Sequence, residues 1–497
     1  MNKKVKKILI IDRNRLDGIF RSAYAAKLLK KRKNYESIIL TENKKQSQSV
    51  KTFKKLGFNE FIFLSNQNKS FANLSLVFLA LLSSVFLFLK ICFKKSYILT
   101  NYRFSGIKIG DMLIDHLARY DSNFFDKEFF NTNTFKSIYN VLFNILFIKR
   151  CIKINNVKLL LSTSYSYASI SSIGIRVGLI LNAKVLMITG SSYKIFKKYE
   201  ESLKGFGKFE KKEFLKFFKN SKNKIKSKKY FKKRINASSL KKNLKNITKI
   251  NKHDWDVYRS FYKKKNYSKS DFYKLLGLKD INKPICTFAL HAFRDANHIF
   301  GDLIFESFYD EFLETIDFLK KYNNFYWLIK IHPSAEKYGE KGLVEKVLNR
   351  NNVKNLKILP NYISTKTILN LSDKLVTSRG TIALEFAALG KKSIITAETY
   401  YKKFGITLNP VSKEDYFKKL IDNNFPRKMN YEKSMIAKRI LYFMKIKLVR
   451  DNIYNFTNPA VEIGDKEFLK RLEKKIPSLY KNKNSFFKLY DKIISRI

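Results

Sequence analysis

His332-Pro333-Ser334 stands directly behind the apolar run FYWLIKI (325–331), and Ser378-Arg379-Gly380-Thr381 stands directly behind KLVT (374–377). Each is a polar turn fed by a buried strand. The second turn opens a helix, TIALEFAALG (381–390), and the unpaired amides at the positive end of a helix dipole suit a phosphate. Ser378 and Thr381 add hydroxyl donors, Arg379 adds a two-pronged cation, and Gly380 lets a ligand approach the backbone closely. Glu385 follows Thr381 by one turn, where it can accept from a sugar hydroxyl. At the first turn, the His332 imidazole can donate to phosphate oxygens, Pro333 fixes the direction of the chain into Ser334, and Lys330 lies two residues back on the same face of the strand. Singly, either segment also fits an ordinary α/β crossover. Two phosphate-directed strand ends in one domain describe a nucleotide site.

A third segment of the same kind is HAFRDANH (291–298), which follows the apolar run ICTFAL (285–290). Three of the chain's 5 histidines, His291, His298 and His332, thereby fall close together. Asp295 and His291 are the candidate catalytic groups of this loop, with Asp295 the first choice as general base. The histidines lack the i, i+4 helical spacing of a strong ligand set, so neither a metal nor another cofactor is expected. The Asp-x-Asp in HDWD (253–256) lies in a basic segment rather than behind a strand and reads as chance. No P-loop, GxGxxG or GxSxG is present, which argues against P-loop kinases, dinucleotide dehydrogenases and ordinary α/β-hydrolases.

Alternating strands and helices must position these loops. KKILIID (6–12), IFRSAYAAKLLKKRK (19–33) and YESIILT (35–41) read as strand, helix and strand, and the alternation recurs over 156–190 and 283–400. The pattern predicts an α/β chain with two Rossmann-like, doubly wound domains. The expected boundaries are 1–193, a basic helical connector over 194–275, a nucleotide-binding domain over 276–425 and a basic helical tail over 426–497.

Charge is the extreme feature of the composition: 100 Lys+Arg against 41 Asp+Glu give +59. Abundant Lys, Asn, Ile, Phe and Tyr with only 17 Gly and 7 Pro are what an AT-rich genome would write, and a cytoplasmic anionic membrane surface would attract the surplus. The connector holds 16 Lys+Arg and one acid between Lys211 and Ile250, interleaved with Phe and Tyr that could stack on bases or sit at a membrane interface. No RNA-binding signature accompanies it, and nucleic acid is not expected as a partner. Nineteen residues without a charge, FANLSLVFLALLSSVFLFL (71–89), are long enough to cross a bilayer. A single span would divide strands that look like parts of one sheet, so a helix lying in the membrane surface is the expected form. Cys92, Cys151 and Cys286 are far apart and suit a reducing compartment.

The strand ending in His-Pro, followed by Ser-x-Gly-Thr-x-x-x-Glu and ALGKKSII (388–395), resembles bacterial capsule and surface-polysaccharide glycosyltransferases of the GT-B fold. It is most similar to the group that includes capsular Kdo transferases, polysialyltransferases and the glycerophosphotransferases of teichoic acid synthesis. YRFSGIKIGDMLIDHLARY (102–120) and STSYSYASISSIGIRVGLILNAKVL (162–186) resemble amino-terminal segments of such enzymes. The resemblance implies two facing Rossmann-like domains and a nucleotide-sugar donor, CMP- or CDP-linked, held by His332, Pro333, Ser378, Gly380, Thr381 and Glu385. It implies a lipid-linked glycan acceptor on the inner membrane's cytoplasmic face, with Gly106, Gly110, Asp111 and Arg119 on the acceptor side. Asp111 and Asp17 are further candidates for the base. A glycerophosphotransferase or nucleotide-sugar epimerase of the same fold, and a non-catalytic basic membrane- or RNA-binding protein, are the alternatives.

Overall fold

The computed structural model describes residues 6–14, 16–42, 44–93, 102–120, 131–165, 167–189, 193–203, 211–236, 264–351, 355–424, 428–444 and 485–497. The chain divides into two compact units, 1–206 with 449–497, and 207–448.

The first unit begins β1 (Lys6–Ile11), α1 (Leu16–Lys33), β2 (Tyr35–Thr41), α2 (Gln48–Lys55) and β3 (Phe61–Phe63), then the apolar helix α3 (Leu74–Phe93). A short hairpin of β4 (Arg103–Phe104) and β5 (Ile107–Lys108) leads into α4 (Gly110–Tyr120) and α5 (Thr132–Ile154). It continues through β6 (Val157–Ser162), α6 (Ile170–Ile180), β7 (Lys184–Ile188) and β8 (Tyr193–Phe196). The six-stranded sheet runs β3-β2-β1-β6-β7-β8, parallel except for β8. Its inner strands are nearly continuous apolar runs because helices cover both faces.

In the second unit, α7 (Lys211–Lys219), α8 (Ser221–Ile235) and α9 (Lys269–Leu276) precede the strands. The sheet elements are β9 (Ile285–Ala289), α10 (Phe308–Leu319), β10 (Tyr326–Lys330), α11 (Leu343–Arg350), β11 (Leu356–Ile358), α12 (Thr365–Leu371), β12 (Lys374–Thr377), α13 (Ile382–Ala388) and β13 (Ser393–Ile395). Then come α14 (Lys413–Ile421) and α15 (Tyr431–Tyr442). The wholly parallel sheet has the order β11-β10-β9-β12-β13, so the winding reverses between β9 and β12. Both units therefore have the doubly wound form expected from the alternating pattern.

Two expected boundaries differ. The connector is not a separate piece: Phe214, Phe217 and Phe231 of α7 and α8 are buried in one core with Leu375, Leu384 and Phe386. Their amphipathic spacing sends the lysines outward and the rings inward, so these three rings are core residues rather than platforms for bases or lipid. The tail also divides, because α15 packs on α8 and α13 in the second unit. The last helix, α16 (Ser485–Ile494), closes the first unit, with Tyr490, Ile493 and Ile494 buried against the α1 and β1 core. HDWD lies outside the described residues.

Candidate active site

Parallel pairing brings the three chemistry-bearing loops to one sheet edge. β10 runs in register with β9 from Tyr326 opposite Ile285 to Lys330 opposite Ala289, and β12 pairs with β9 as far as Val376 opposite Phe288. The loops at His291, His332 and Ser378 consequently leave neighbouring strands at their carboxyl ends, next to the point where the strand order reverses. That crevice is where open α/β sheets bind ligands.

His291 and His332 lie nearly parallel, with ring centroids 5.4 Å apart and planes 21° apart. The amide of Ser334 donates to Nδ1 of His332 at 3.2 Å, which places the proton of a neutral His332 on Nε2. In His291, Nδ1 lies 3.2 Å from the Ala292 carbonyl. A carbonyl only accepts, so Nδ1 carries the hydrogen and Nε2 keeps the lone pair. Two adjacent imidazoles thus have opposite character, one with a donor Nε2 and one with an acceptor Nε2. The Phe308 ring packs 4.5 Å from His291 and limits its rotation.

Lys330 is the last residue of β10, two before His332. Burial pushes its ammonium down to about 8, the Lys264 charge pushes the same way, and Glu385 opposes both. Such a crowded, partly desolvated cation gains from an anion in reach. Asp295 is half-buried in the 291–298 loop. Glu340, from the loop after His332, accepts the Arg294 amide at 2.8 Å and ties the two histidine loops together. Burial raises the Glu340 carboxyl to about 7; hydrogen bonds from Arg294 and Phe293 amides oppose the shift, and Asp295 adds to it.

Four expected roles change. Arg379 does not present an open fork to phosphate: its guanidinium donates to the carbonyls of Glu398 (3.0 Å), Ala296 (3.3 Å) and Gly301 (3.2 Å). It also lies over the Phe308 ring, 5.6 Å from its centroid. It braces the histidine loop against the turn after β12. Ser378 is buried and its hydroxyl donates to Glu311 rather than pointing to a ligand. Glu385 is not available to a sugar, because Nε and an Nη of Arg234 both donate to its Oε1, at 2.8 Å and 2.5 Å, in a pair almost wholly removed from solvent. Asp111, in the first unit, is bound by both terminal nitrogens of Arg176 at 2.5–2.6 Å. Burial opposes ionisation of Asp111, yet the Arg176 charge and hydrogen bonds outweigh it and hold the carboxyl below its ordinary range. A carboxylate so stabilised is a poor base.

Other expected residues occupy the edge with different surroundings. Gly380 is required by the protein itself, since a Cβ there would come 2.8 Å from the Thr377 Oγ1. Its carbonyl accepts from the Tyr401 hydroxyl at 2.7 Å. Thr381 precedes α13 without a side-chain capping bond. Pro333 is exposed at the mouth of the turn and Ser334 is buried beneath it. His298 is turned away, its Nε2 donating to the Glu306 carbonyl at 2.6 Å. Among the described residues, no three His, Cys, Asp or Glu side chains converge as a metal site requires. The side chain of Asp17 lies outside the described residues.

Glu311 is the important residue that the motifs did not indicate. It is buried on α10 and accepts from Ser378 and from Thr396, the latter at 2.8 Å, joining α10 to the ends of β12 and β13. Burial raises its carboxyl to about 7, against the opposing effects of the two hydroxyls and Arg379. The sequence did hold a signal, because Glu311 lies in phase with Phe308, Phe312 and Thr315 on the buried stripe of its helix. Arg234 carried a similar signal in its phase with Phe231 and Ile235.

The sequence matches no family model and no curated protein. Among solved structures, the chain is similar to the KpsC β-Kdo 2,4-transferase of Thermosulfurimonas dismutans, at 12% identity over 57% of this chain and 79% of that one, with a TM-score of 0.32. It is also similar to a glycosyltransferase of Rickettsia africae, at 13% identity over 95% of this chain and 100% of that one, with a TM-score of 0.28. A UDP-GlcNAc 2-epimerase of Methanocaldococcus jannaschii matches at 12% identity over 88% of this chain and 98% of that one, with a TM-score of 0.26.

Two outcomes follow for the charges under this edge. Glu385→Ala strands a buried guanidinium and should cost about 3–5 kcal/mol, while Arg234→Met with Glu385→Leu should recover most of it, read from urea unfolding. An undiminished midpoint in the single variant would instead mark Glu385 as dispensable to the fold. For Glu311, a folded pKa of about 7 against an ordinary 4.5 means that the folded chain keeps a proton the unfolded chain has lost. Its contribution is full below the ordinary value and is lost as pH rises through about 7. The melting temperature of the wild type relative to Glu311→Gln should therefore fall between about pH 5 and pH 8, and a constant difference would contradict a protonated carboxyl.

Proposed function

We propose that the chain is a glycosyltransferase of the GT-B type, transferring a sugar from a nucleotide-activated donor to a growing, lipid-linked surface glycan. The observation that carries this reading is the meeting of the His291, His332 and Gly380 loops at the reversal point of the second unit's sheet. The edge is lined by donors and cations suited to a phosphate: Nε2–H of His332, Lys330 and the backbone leading into α13.

In this reading, His332 and Lys330 stabilise charge that grows on the leaving phosphate. They are fixed in place beforehand, which is what electrostatic catalysis needs. Pro333 and Ser334 hold the imidazole's direction, while Thr381 supplies a hydroxyl at the rim. Arg379, Ser378 and Glu385 act from beneath, by keeping the loops in position. The acceptor hydroxyl needs a base, and Asp295 or the acceptor Nε2 of His291 fills that role. No step requires a metal. The surplus of cations and the apolar α3 favour work at the cytoplasmic face of an anionic membrane, where a lipid-linked acceptor is found.

His332→Ala should lower transfer by about a hundredfold or more while the fold persists, and transfer by the wild type should continue in a chelator of divalent cations. Product analysis in the same assay separates sugar transfer from glycerophosphate transfer and from epimerisation of the donor. Full activity in His332→Ala would overturn the site.

A further inference from the structure

The helix α3 has two faces of opposite character. Ala80, Ser84, Leu87 and Ile91 are buried, and α3 packs along α5. The two helices run antiparallel, since Phe88 meets Phe135 near one end and Arg150 reaches Asn73 near the other. Phe78, Leu82, Phe86, Leu89 and Phe93 are 51–86% exposed. At about 100° per residue, these five lie within about 40° of Leu82 around the helix, opposite the buried four. The result is a continuous apolar stripe about 22 Å long, on a segment (Phe71–Phe93) whose most apolar 18-residue window has a mean hydropathy of 2.5. Soluble surfaces rarely carry such a stripe without an occupant.

We propose that this stripe docks lengthwise into the interfacial region of an anionic lipid bilayer, with the helix axis parallel to the membrane plane. Three observations select this occupant and orientation. First, strands before α3 (β1 to β3) and after it (β6 to β8) are hydrogen-bonded in a single sheet, so the helix cannot cross a membrane without dividing that sheet. Secondly, the charges on α3 and α5 are all of one sign: Lys90, Lys136, Lys149, Arg150 and Lys153, with no acid on either helix. That complements anionic headgroups and would repel an identical face of a second copy. Thirdly, Lys90 lies at the border of the stripe with its ammonium 4.5 Å from the Phe86 ring centroid. A lysine so placed buries its stem in the acyl boundary and keeps its charge among headgroups. In-plane docking leaves both ends of α3 and the whole sheet on one side of the membrane. It extends the membrane part of the proposed function and fails independently of the nucleotide site, since neither α3 nor α5 contributes to that site.

The test is flotation of the full chain with phosphatidylcholine vesicles prepared with and without phosphatidylglycerol. The wild type should float with the anionic vesicles, and Leu82→Asp with Phe86→Asp should weaken this about tenfold with nucleotide binding retained. Leu82→Gln, which adds no charge and disturbs the fold least, should shift binding in the same direction. Environment-sensitive labels on Phe78→Cys, Phe86→Cys and Phe93→Cys should report one common depth. Equal binding by wild type and variants would overturn the proposal. A deep centre with shallow ends would do so too, by indicating a span. So would a dimer that the Asp variant dissociates while neither protein binds vesicles.

Discussion

Parallel hydrogen bonding among β10, β9 and β12 is the constraint from which the site follows. The ladder leaves Ala289 and Lys330 side by side and brings Val376 level with Phe288. Three segments separated in sequence must therefore turn out of the sheet together. The sheet also buries its strands on both faces, so polar groups gather at the strand ends. There the chain carries two imidazoles of opposite hydrogen-bonding character, a partly desolvated lysine and the approach to a helix.

Beneath this edge, buried ionisable groups hold the loops. Glu311 clasps Ser378 and Thr396, Glu340 caps the His291 loop, and Glu385 neutralises Arg234. Each is costly to bury alone, and each gains from hydrogen bonds or charge that only the correct arrangement of loops supplies. Arg379 works in the same way from the cationic side, through three loop carbonyls. Three carboxylates and one guanidinium thereby fix the loops of this edge.

The strands, the loops behind them and the apolar helix were legible in the sequence, because apolar runs ending at Ile331 and Thr377 have one physical reading in an alternating α/β pattern. What lies under the loops was not. Glu385 appeared as a ligand group because its partner, Arg234, lies 151 residues earlier in a lysine-rich run. Ser378 and Arg379 looked like donors to a ligand, since sequence spacing does not reveal that a carboxyl and three carbonyls already engage them. Asp111 read as a free acid for the same reason, its partner Arg176 lying alone among apolar residues of α6. Unit boundaries were missed where connectivity misleads: α16 follows the second unit in sequence yet packs on the first.

We propose that the edge built by His291, His332 and the Gly380 turn holds a nucleotide. Thermal unfolding of the full chain against CMP, CDP, UDP, GDP and ADP tests it most directly. A nucleotide that binds only the folded state stabilises by about 2.7 kcal/mol at a hundred times its Kd. One of the five should raise the melting temperature in the wild type and much less in His332→Ala. No response to any of them, or an equal response in the variant, would contradict it.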